Sequence, residues 1–332
     1  MAVPWATVAR LRPGHHERSK NALGGQSVRA RVVTMAQAIE RFVPDGCSVL
    51  MGAPLESLTP FAAGHEIIRQ KRRGLTLIGP ISDILFDQLI GAGCASRVIA
   101  AWIGNASAGL AHNYRRAAEA GYPHPLQIED HSNFTLALAL LAGSLGAPFI
   151  PTKTLLGTDL LSGNRSFQLS SDPSSGEPVL LVRALTPDVA ILHMQRSDAD
   201  GNAHCWGNLG VSEEGGLASK RIIVVAEELV PREVILSDPN RVLLPSSKVV
   251  AVVHEPWGAH PSPVQGYYGR DHGSYDEYHL ASQTQESFEQ WLKGWVLDVE
   301  DRTAYLARLQ VDRLKTLKPS QRRMAAPVDY GY

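Results

Sequence analysis

Short, continuously apolar runs alternate with stretches of helical spacing through most of this chain, and that alternation excludes most folds at once. Thr34 and Gln37 have capping-box spacing, and Ala36, Ile39 and Val43 form an apolar stripe at helical intervals. Pro44-Asp45-Gly46 reads as a turn. Cys47-Ser48-Val49-Leu50-Met51 then reads as a short buried strand that ends at Gly52. A helix is predicted over residues 60–73, with Pro60 in its first turn and Gly74 as its stop. Leu75-Thr76-Leu77-Ile78 is the next strand, residues 82–90 the next helix, and residues 98–103 are apolar throughout. Val189-Ala190-Ile191-Leu192, Ile222-Ile223-Val224-Val225 and Val249-Val250-Ala251-Val252-Val253 resume the pattern, and helical stretches over 285–296 and 301–309 close it. Strands apolar on both sides need cover on both faces, which the intervening helices provide. The predicted fold is α/β, an open, mainly parallel sheet with helices on both faces and right-handed crossovers. Ligands of such sheets gather beyond the carboxyl ends of the strands. Function is therefore sought in the loops 52–59, 79–83, 104–109, 129–133, 193–207 and 254–272.

Composition narrows the function classes. A chain of 332 residues buries about three quarters of its unfolded surface and needs no metal or disulfide staple. Its 32 basic and 33 acidic side chains leave a net charge of −1, which rules out a strongly electrostatic nucleic-acid binder. Cys47, Cys94 and Cys205 are an odd, scattered set with neither a disulfide framework nor zinc spacing, as in a reducing compartment. The longest apolar run, residues 136–145, is too short to span a bilayer, and no secretory signal is legible. These features predict a cytoplasmic protein that binds neither membrane nor nucleic acid. Residues 1–33 hold six arginines or lysines against Glu17 alone, with glycine, proline and histidine breaking any period. They read as a disordered or mis-assigned leader, since recognisable structure begins at Met35. The domain is predicted over residues 34–315, with a tail over 316–332.

Generic catalytic motifs are absent. There is neither GxGxxG nor GxxxxGK[ST], so the usual nucleotide sites lack support. Residues 104–109 resemble a nucleophile elbow, but Asn105 occupies the first-glycine position. His272 and His279 lack an HExxH arrangement, and their segment reads as a solvated polar loop rather than a metal site. Asp198-Ala199-Asp200-Gly201-Asn202, between His193 and His204, is turn chemistry that binds its own backbone. No metal site and no permanently bound cofactor are predicted.

Read together, the loops resemble a known family. Gly52-Ala53-Pro54-Leu55-Glu56-Ser57-Leu58-Thr59-Pro60, running into Glu66-Ile67-Ile68-Arg69-Gln70, is similar to the start of a glutaconate CoA-transferase A subunit, of the family I acyl-CoA transferases. The likeness continues through Asp87-Gln88-Leu89-Ile90-Gly91, residues 114–121, Glu129-Asp130-His131-Ser132, Pro148-Phe149-Ile150-Pro151, residues 188–193 and Asp200-Gly201-Asn202. Its most specific piece is Trp257-Gly258-Ala259-His260-Pro261-Ser262, followed by Thr284-Gln285-Glu286 and Trp295-Val296-Leu297-Asp298. The resemblance implies one half of a two-chain enzyme, a heterotetramer or larger, acting on acyl-CoA and a carboxylic acid. Coenzyme A thioester is then substrate. In that family a glutamate attacks the thioester, giving an acyl-glutamyl anhydride. CoA thiolate then forms a glutamyl-CoA thioester, which an acceptor carboxylate resolves. Covalent catalysis splits one hard exchange into easier steps. The resemblance places that glutamate on the B subunit, so no catalytic residue is expected in this chain. The A subunit shapes the acyl pocket and supplies backbone amides near the reacting carbonyl.

On this resemblance the substrate-binding residues are Gly52, Ala53, Ser57, Asn105, Ser107, Glu129 and Asn133. Glu129 is expected either to line the pocket or to cap the following helix, and Glu227 and Glu228 to be structural. Several departures bear on the substrate. Ala53 replaces the family's second glycine, and Leu58-Thr59 replaces a basic pair, which removes one device for holding a distal carboxylate. Asn133 stands where a steroid-catabolic hydrolase branch carries a catalytic glutamate, which argues against that chemistry. A non-catalytic CoA-thioester binder and the A subunit of a hydrolase or decarboxylase remain as alternatives.

Overall fold

The computed structural model describes residues 31–320. Its first half runs β1 (Arg31–Val32), α1 (Met35–Phe42), β2 (Ser48–Leu50), α2 (Phe61–Arg69), β3 (Leu75–Ile81), α3 (Asp83–Gly91), β4 (Ala95–Trp102), α4 (His112–Ala120), β5 (Gln127–Asp130) and α5 (Asn133–Leu145). Then come β6 (Phe149–Thr152), β7 (Phe167–Ser171), β8 (Pro178–Arg183), β9 (Val189–Ser197), β10 (Ala203–His204), α6 (Ser212–Ala218), β11 (Arg221–Leu229), α7 (Arg232–Leu236) and β12 (Val249–His254). The helices α8 (His272–Ser282), α9 (Gln285–Leu292), α10 (Arg302–Arg308) and α11 (Val311–Leu317) follow. The main sheet has the order β1-β12-β11-β9-β2-β3-β4-β5, every neighbour parallel, with β10 antiparallel on β9.

Side-chain alternation in the apolar strands divides the core between the two faces. Val49, Leu75, Leu77, Val189, Ile191, Ile223, Val225, Ala251 and Val253 pack with α1, α2, α3 and α9. Their neighbours Leu50, Ile78, Ala190, Leu192, Ile222, Val224 and Val252 pack with Leu136 and Leu140 of α5. The strands read as continuously apolar because both faces are covered, as predicted. The Thr34–Gln37 capping box is present.

Other boundaries moved for local reasons. The helix predicted to reach Arg73 ends at Arg69, because Lys71 turns into the left-handed region at φ 55°. Pro60 precedes the helix as its cap instead of opening its first turn. The apolar run at 136–145 lies inside α5, whose capping box joins Ser132 and Thr135. No helix among the described residues is long and apolar enough to cross a membrane.

Two findings differ in kind. The structure adds a second, three-stranded antiparallel sheet, β6-β8-β7, that the single-sheet reading did not foresee. Its strands bury one face, Leu180 and Val182 against Ala139 of α5; β6 and β7 are mostly exposed, and the sequence reading assigns no strand to the apolar run at 179–182 that could have marked β8. The polar segment around His272 and His279 is not a loop but α8, capped by Asp271 and anchored by buried Tyr275 and Tyr278. Of the leader, only residues 31–33 lie within the described part. Arg31 and Val32 pair with Ala251 and Val252, and the Val33 amide donates to Val252 O at 3.0 Å. The remainder of the leader, and residues 321–332 of the tail, lie outside the described residues.

Candidate active site at the carboxyl edge of the sheet

The loop after β2 is the most tightly specified segment of that edge. Gly52 sits at φ 67°, and a Cβ there would meet the Cα and Cβ of Ser82 at 2.9 Å, with the Ser82 hydroxyl closer still. That hydroxyl donates to Met51 O at 2.9 Å, locking the end of β2 to the start of α3. Ala53 is fully buried, and its carbonyl accepts the Val211 amide at 2.9 Å. Leu55 and Leu58 hold left-handed φ values of 65° and 52°, unusual for non-glycine residues and sustained only by surrounding contacts.

The Leu55 amide donates to Gly52 O at 3.1 Å, and the stretch from Glu56 to Ala62 is held by the Trp257–Ser262 signature and the Pro263 that follows it, about two hundred residues away. Leu58 donates its amide to Pro263 O at 3.0 Å, and Thr59 donates to Ser262 Oγ at 3.2 Å. Ser262 Oγ donates to Glu56 O at 2.7 Å, and Ala62 donates to Gly258 O at 2.8 Å. Ser57 Oγ donates to Pro54 O at 3.2 Å inside the loop. The signature is itself pinned. Buried Arg302 donates through Nε and Nη2 to Trp257 O at 2.8 and 2.6 Å, and through Nη2 to His260 O at 2.5 Å. His260 lies between Asp271 (2.8 Å) and the Tyr305 hydroxyl (3.0 Å), and burial lowers its pKa to about 4 against the pull of Asp271. The motif acts as a brace for the loop at 52–60.

The loop after β4 is held as firmly. Asn105 Oδ1 accepts the amides of Ser107 and Ala108, both at 3.1 Å, and Nδ2 donates to Tyr275 O at 2.9 Å. The carboxamide is thus used entirely inside the fold and shapes the turn. Arg270 joins the two loops. Its side chain is fully enclosed, stacked 3.6 Å from the centre of the Tyr275 ring. Nε donates to Ser107 Oγ at 3.0 Å, Nη2 pairs with Asp83 at 2.7 Å, and Nη1 lies 3.9 Å from Glu56. Burial raises the Asp83 pKa while Arg270 opposes it; burial and then Asp83 raise that of Glu56. Gly52, Ala53, Ser57, Asn105 and Ser107 therefore share one rim. Sequence reading missed Ser82, Asp83, Arg270 and Arg302, the residues that build it, because no local pattern marks them.

Glu129 and Asn133 stand apart from this rim, at β5 on the sheet's edge. Glu129 is paired with Arg97, hydrogen-bonded by Ser166, and 3.2 Å from His131 Nε2. Burial resists its ionisation, but those hydrogen bonds and the Arg97 charge outweigh burial and hold its pKa at about 2. It lines a cavity of about 700 Å3 with Asn164 and Arg165. Ser132, not Glu129, caps α5, and Asn133 is the exposed first residue of that helix. Glu227 accepts from Trp257 N (2.8 Å) and Tyr268 OH (2.5 Å) and lies 2.7 Å from His193 Nε2. Glu228 meets Tyr267 OH at 2.9 Å and Arg196 at 3.4 Å. Asp198 binds the amides of Asp200 and Asn202 at 3.0 and 2.9 Å, closing its own turn. Among the described residues, no group of three or more histidine, cysteine or acidic side chains is placed to hold a metal.

Comparison with known proteins places these features in a family context. Residues 32–255 match the family described as Coenzyme A transferase. The chain is 38% identical over 281 residues to the A subunit of the 3-oxoadipate CoA-transferase of Pseudomonas knackmussii, covering 84% of this chain and 98% of that protein. It is 32% identical over 306 residues to the A subunit of the glutaconate CoA-transferase of Acidaminococcus fermentans, covering 87% and 95%. The crystal structure of glutaconate coenzyme A-transferase from that organism superposes with a TM-score of 0.83 at 31% identity, over 90% of this chain and 99% of that one.

Proposed function

The chain belongs to the coenzyme A transferase family, and from that membership we propose that it is the A subunit of a heteromeric acyl-CoA:carboxylate CoA-transferase, completed by a B subunit that carries the nucleophilic glutamate. The observation that supports this most is the state of two carboxylates, Asp83 and Glu227. Asp83 is enclosed and ion-paired with Arg270, and Glu227 is engaged by Trp257, Tyr268 and His193. These groups hold a shape; neither is free to attack a thioester. The loops at 52–60 and 104–109 then form one wall of an acyl pocket, with backbone amides near Gly52 and Ala53 facing the reacting carbonyl. Donors fixed in advance stabilise a developing oxyanion without reorganising during the reaction. Glu129 and Asn133, one strand further along the edge, border the acyl-CoA approach. Leu58 and Thr59 are buried in this chain, so a distal carboxylate of the substrate is not held at those positions.

The test compares the purified chain alone with the chain mixed with a glutamate-bearing B subunit, sought first in the neighbouring reading frame. CoA transfer from a panel of acyl-CoA donors to free acids is followed chromatographically. Turnover is expected only in the mixture. Robust transfer by this chain alone overturns the assignment, and CoA release without an acceptor acid marks a hydrolase.

A further inference from the structure

The second sheet turns one face outward. Leu180 and Val182 of β8 point into the core at α5, so Leu181 and Arg183 point the other way. Phe149 of β6 is paired with Arg183, and Gln168 of β7 with Leu181, and residues paired across strands share a face. These four residues and Arg165, which precedes β7, line a cavity of about 300 Å3. Phe149 is 44% exposed, and with Leu181 it gives the cavity an apolar surface. Arg165 and Arg183 are its charged residues, with no acid in the lining. Both are exposed, and neither guanidinium is hydrogen-bonded or ion-paired among the described residues. Arg165 also borders the cavity of about 700 Å3 along β5, so the two adjoin. That larger cavity carries both signs, Arg97 and Arg165 against Glu129, Asp130 and Asp159, and Glu129 is already paired with Arg97.

A CoA thioester has a long uncharged arm of amides and a hydroxyl between its sulfur and its nucleotide, and the nucleotide carries all of the phosphates and an adenine. On the transferase reading, from which this inference takes the identity of its ligand, the sulfur lies at the rim after β4. Ile99 of β4, six residues before Asn105, pairs with Glu129. Six residues at the rise of a strand span roughly 20 Å, a length the extended arm can cover. An arm without charge is compatible with walls of both signs, whereas phosphates are repelled by Asp130 and Asp159 and need the acid-free end. We propose that the cavity on the second sheet binds the adenosine 3′-phosphate 5′-diphosphate end of the CoA substrate, Arg165 and Arg183 meeting its phosphates and Phe149 its adenine, while the arm lies along β5. Guanidinium forks fit phosphate oxygens, and a base stacks on an aromatic face.

Titration calorimetry on the full chain with adenosine 3′,5′-bisphosphate, a probe with neither arm nor thioester, tests the site. Saturable binding is expected, weakening with added salt as opposite charges are screened. Arg165→Ala and Arg183→Ala change exposed positions and are expected to keep the wild-type melting temperature while each weakens binding at least tenfold. Arg232→Ala removes an exposed arginine beside Asp200 and, as the control, is expected to bind as wild type does. Absence of saturable binding, wild-type affinity in both Arg165→Ala and Arg183→Ala, or an equal loss in Arg232→Ala overturns the proposal. The assay needs neither a B subunit nor turnover, so its failure leaves the transferase assignment standing. A chain that binds the probe while its mixtures transfer no CoA refutes that assignment instead.

Discussion

Replacing Gly52 with alanine tests the brace around the first loop with a single methyl group. Two costs follow from the geometry. At φ 67° an L residue is disfavoured by about 1–2 kcal/mol. The added carbon would also stand 2.9 Å from the Cα and Cβ of Ser82, an overpacking that costs about 1–3 kcal/mol in a closed core. Together these amount to about 2–5 kcal/mol of lost stability. At about 2–4 °C per kcal/mol for a chain of this order of size, the melting temperature falls by about 4–20 °C. The assay is thermal unfolding by circular dichroism of four chains: wild type, Gly52→Ala, Ser82→Gly and the double variant. Ser82→Gly alone loses the hydrogen bond to Met51 O, worth about 1 kcal/mol, yet it removes the two side-chain atoms that the new methyl strikes. The double variant is therefore expected to lie above the sum of the singles, with a coupling of at least about 1 kcal/mol. In mixtures with the B subunit, Gly52→Ala is expected to lose transfer rate by tenfold or more, about 1.4 kcal/mol, and the double variant to recover part of it. A Gly52→Ala chain that melts like wild type, or strict additivity in the cycle, refutes the reasoning.

Two further predictions concern the rim and the sheet edge. Ala53→Val crowds a fully buried loop position, and Asn105→Ala deletes three hydrogen bonds at a cost of about 3 kcal/mol in stability. Each is expected to assemble with the B subunit yet transfer CoA at least tenfold more slowly; wild-type kinetics in both would place the acyl site elsewhere. Glu129, with its pKa lowered to about 2 from 4.5, contributes stability that is fully present above pH 4.5 and is lost as pH falls through 2. Denaturant melts of wild type should weaken across that window, and those of Glu129→Gln should start lower and change less; parallel curves would contradict the ion-pair account.

The helix at 272–282 shows where sequence reading falls short. Its histidines, acids and glycine look like a polar loop, and only the burial of Tyr275 and Tyr278 against distant partners makes it a helix. The strand at 167–171 escaped notice for a related reason, since its exposed residues leave a broken apolar signal, whereas the unbroken apolar run at 179–182 in its partner was simply not read as a strand. The central parallel strands were legible because cover on both faces leaves an apolar run, whereas the edge strands β1 and β5, short and in β5 mostly exposed, were not.

The sequence alone determined the alternation of strand and helix, the parallel sheet, and the ordered set of segments from residue 52 to residue 298 that resembles the A chain of a two-chain CoA-transferase. It also placed Gly52, Ala53, Ser57, Asn105 and Ser107 in loops at the carboxyl edge. Only the tertiary structure decided what those residues do. It turned the Asn105 carboxamide inward, gave Arg270 to Asp83 and Ser107, braced Leu58 and Thr59 on Pro263 and Ser262, and moved Glu129 to a pairing with Arg97. The physical reason is range. Periodicity records which face of an element is apolar and is written in consecutive residues. A charge pair or hydrogen bond between residues from 32 positions apart (Arg97 and Glu129) to 203 apart (Thr59 and Ser262) depends on how whole elements pack, and no local pattern carries it.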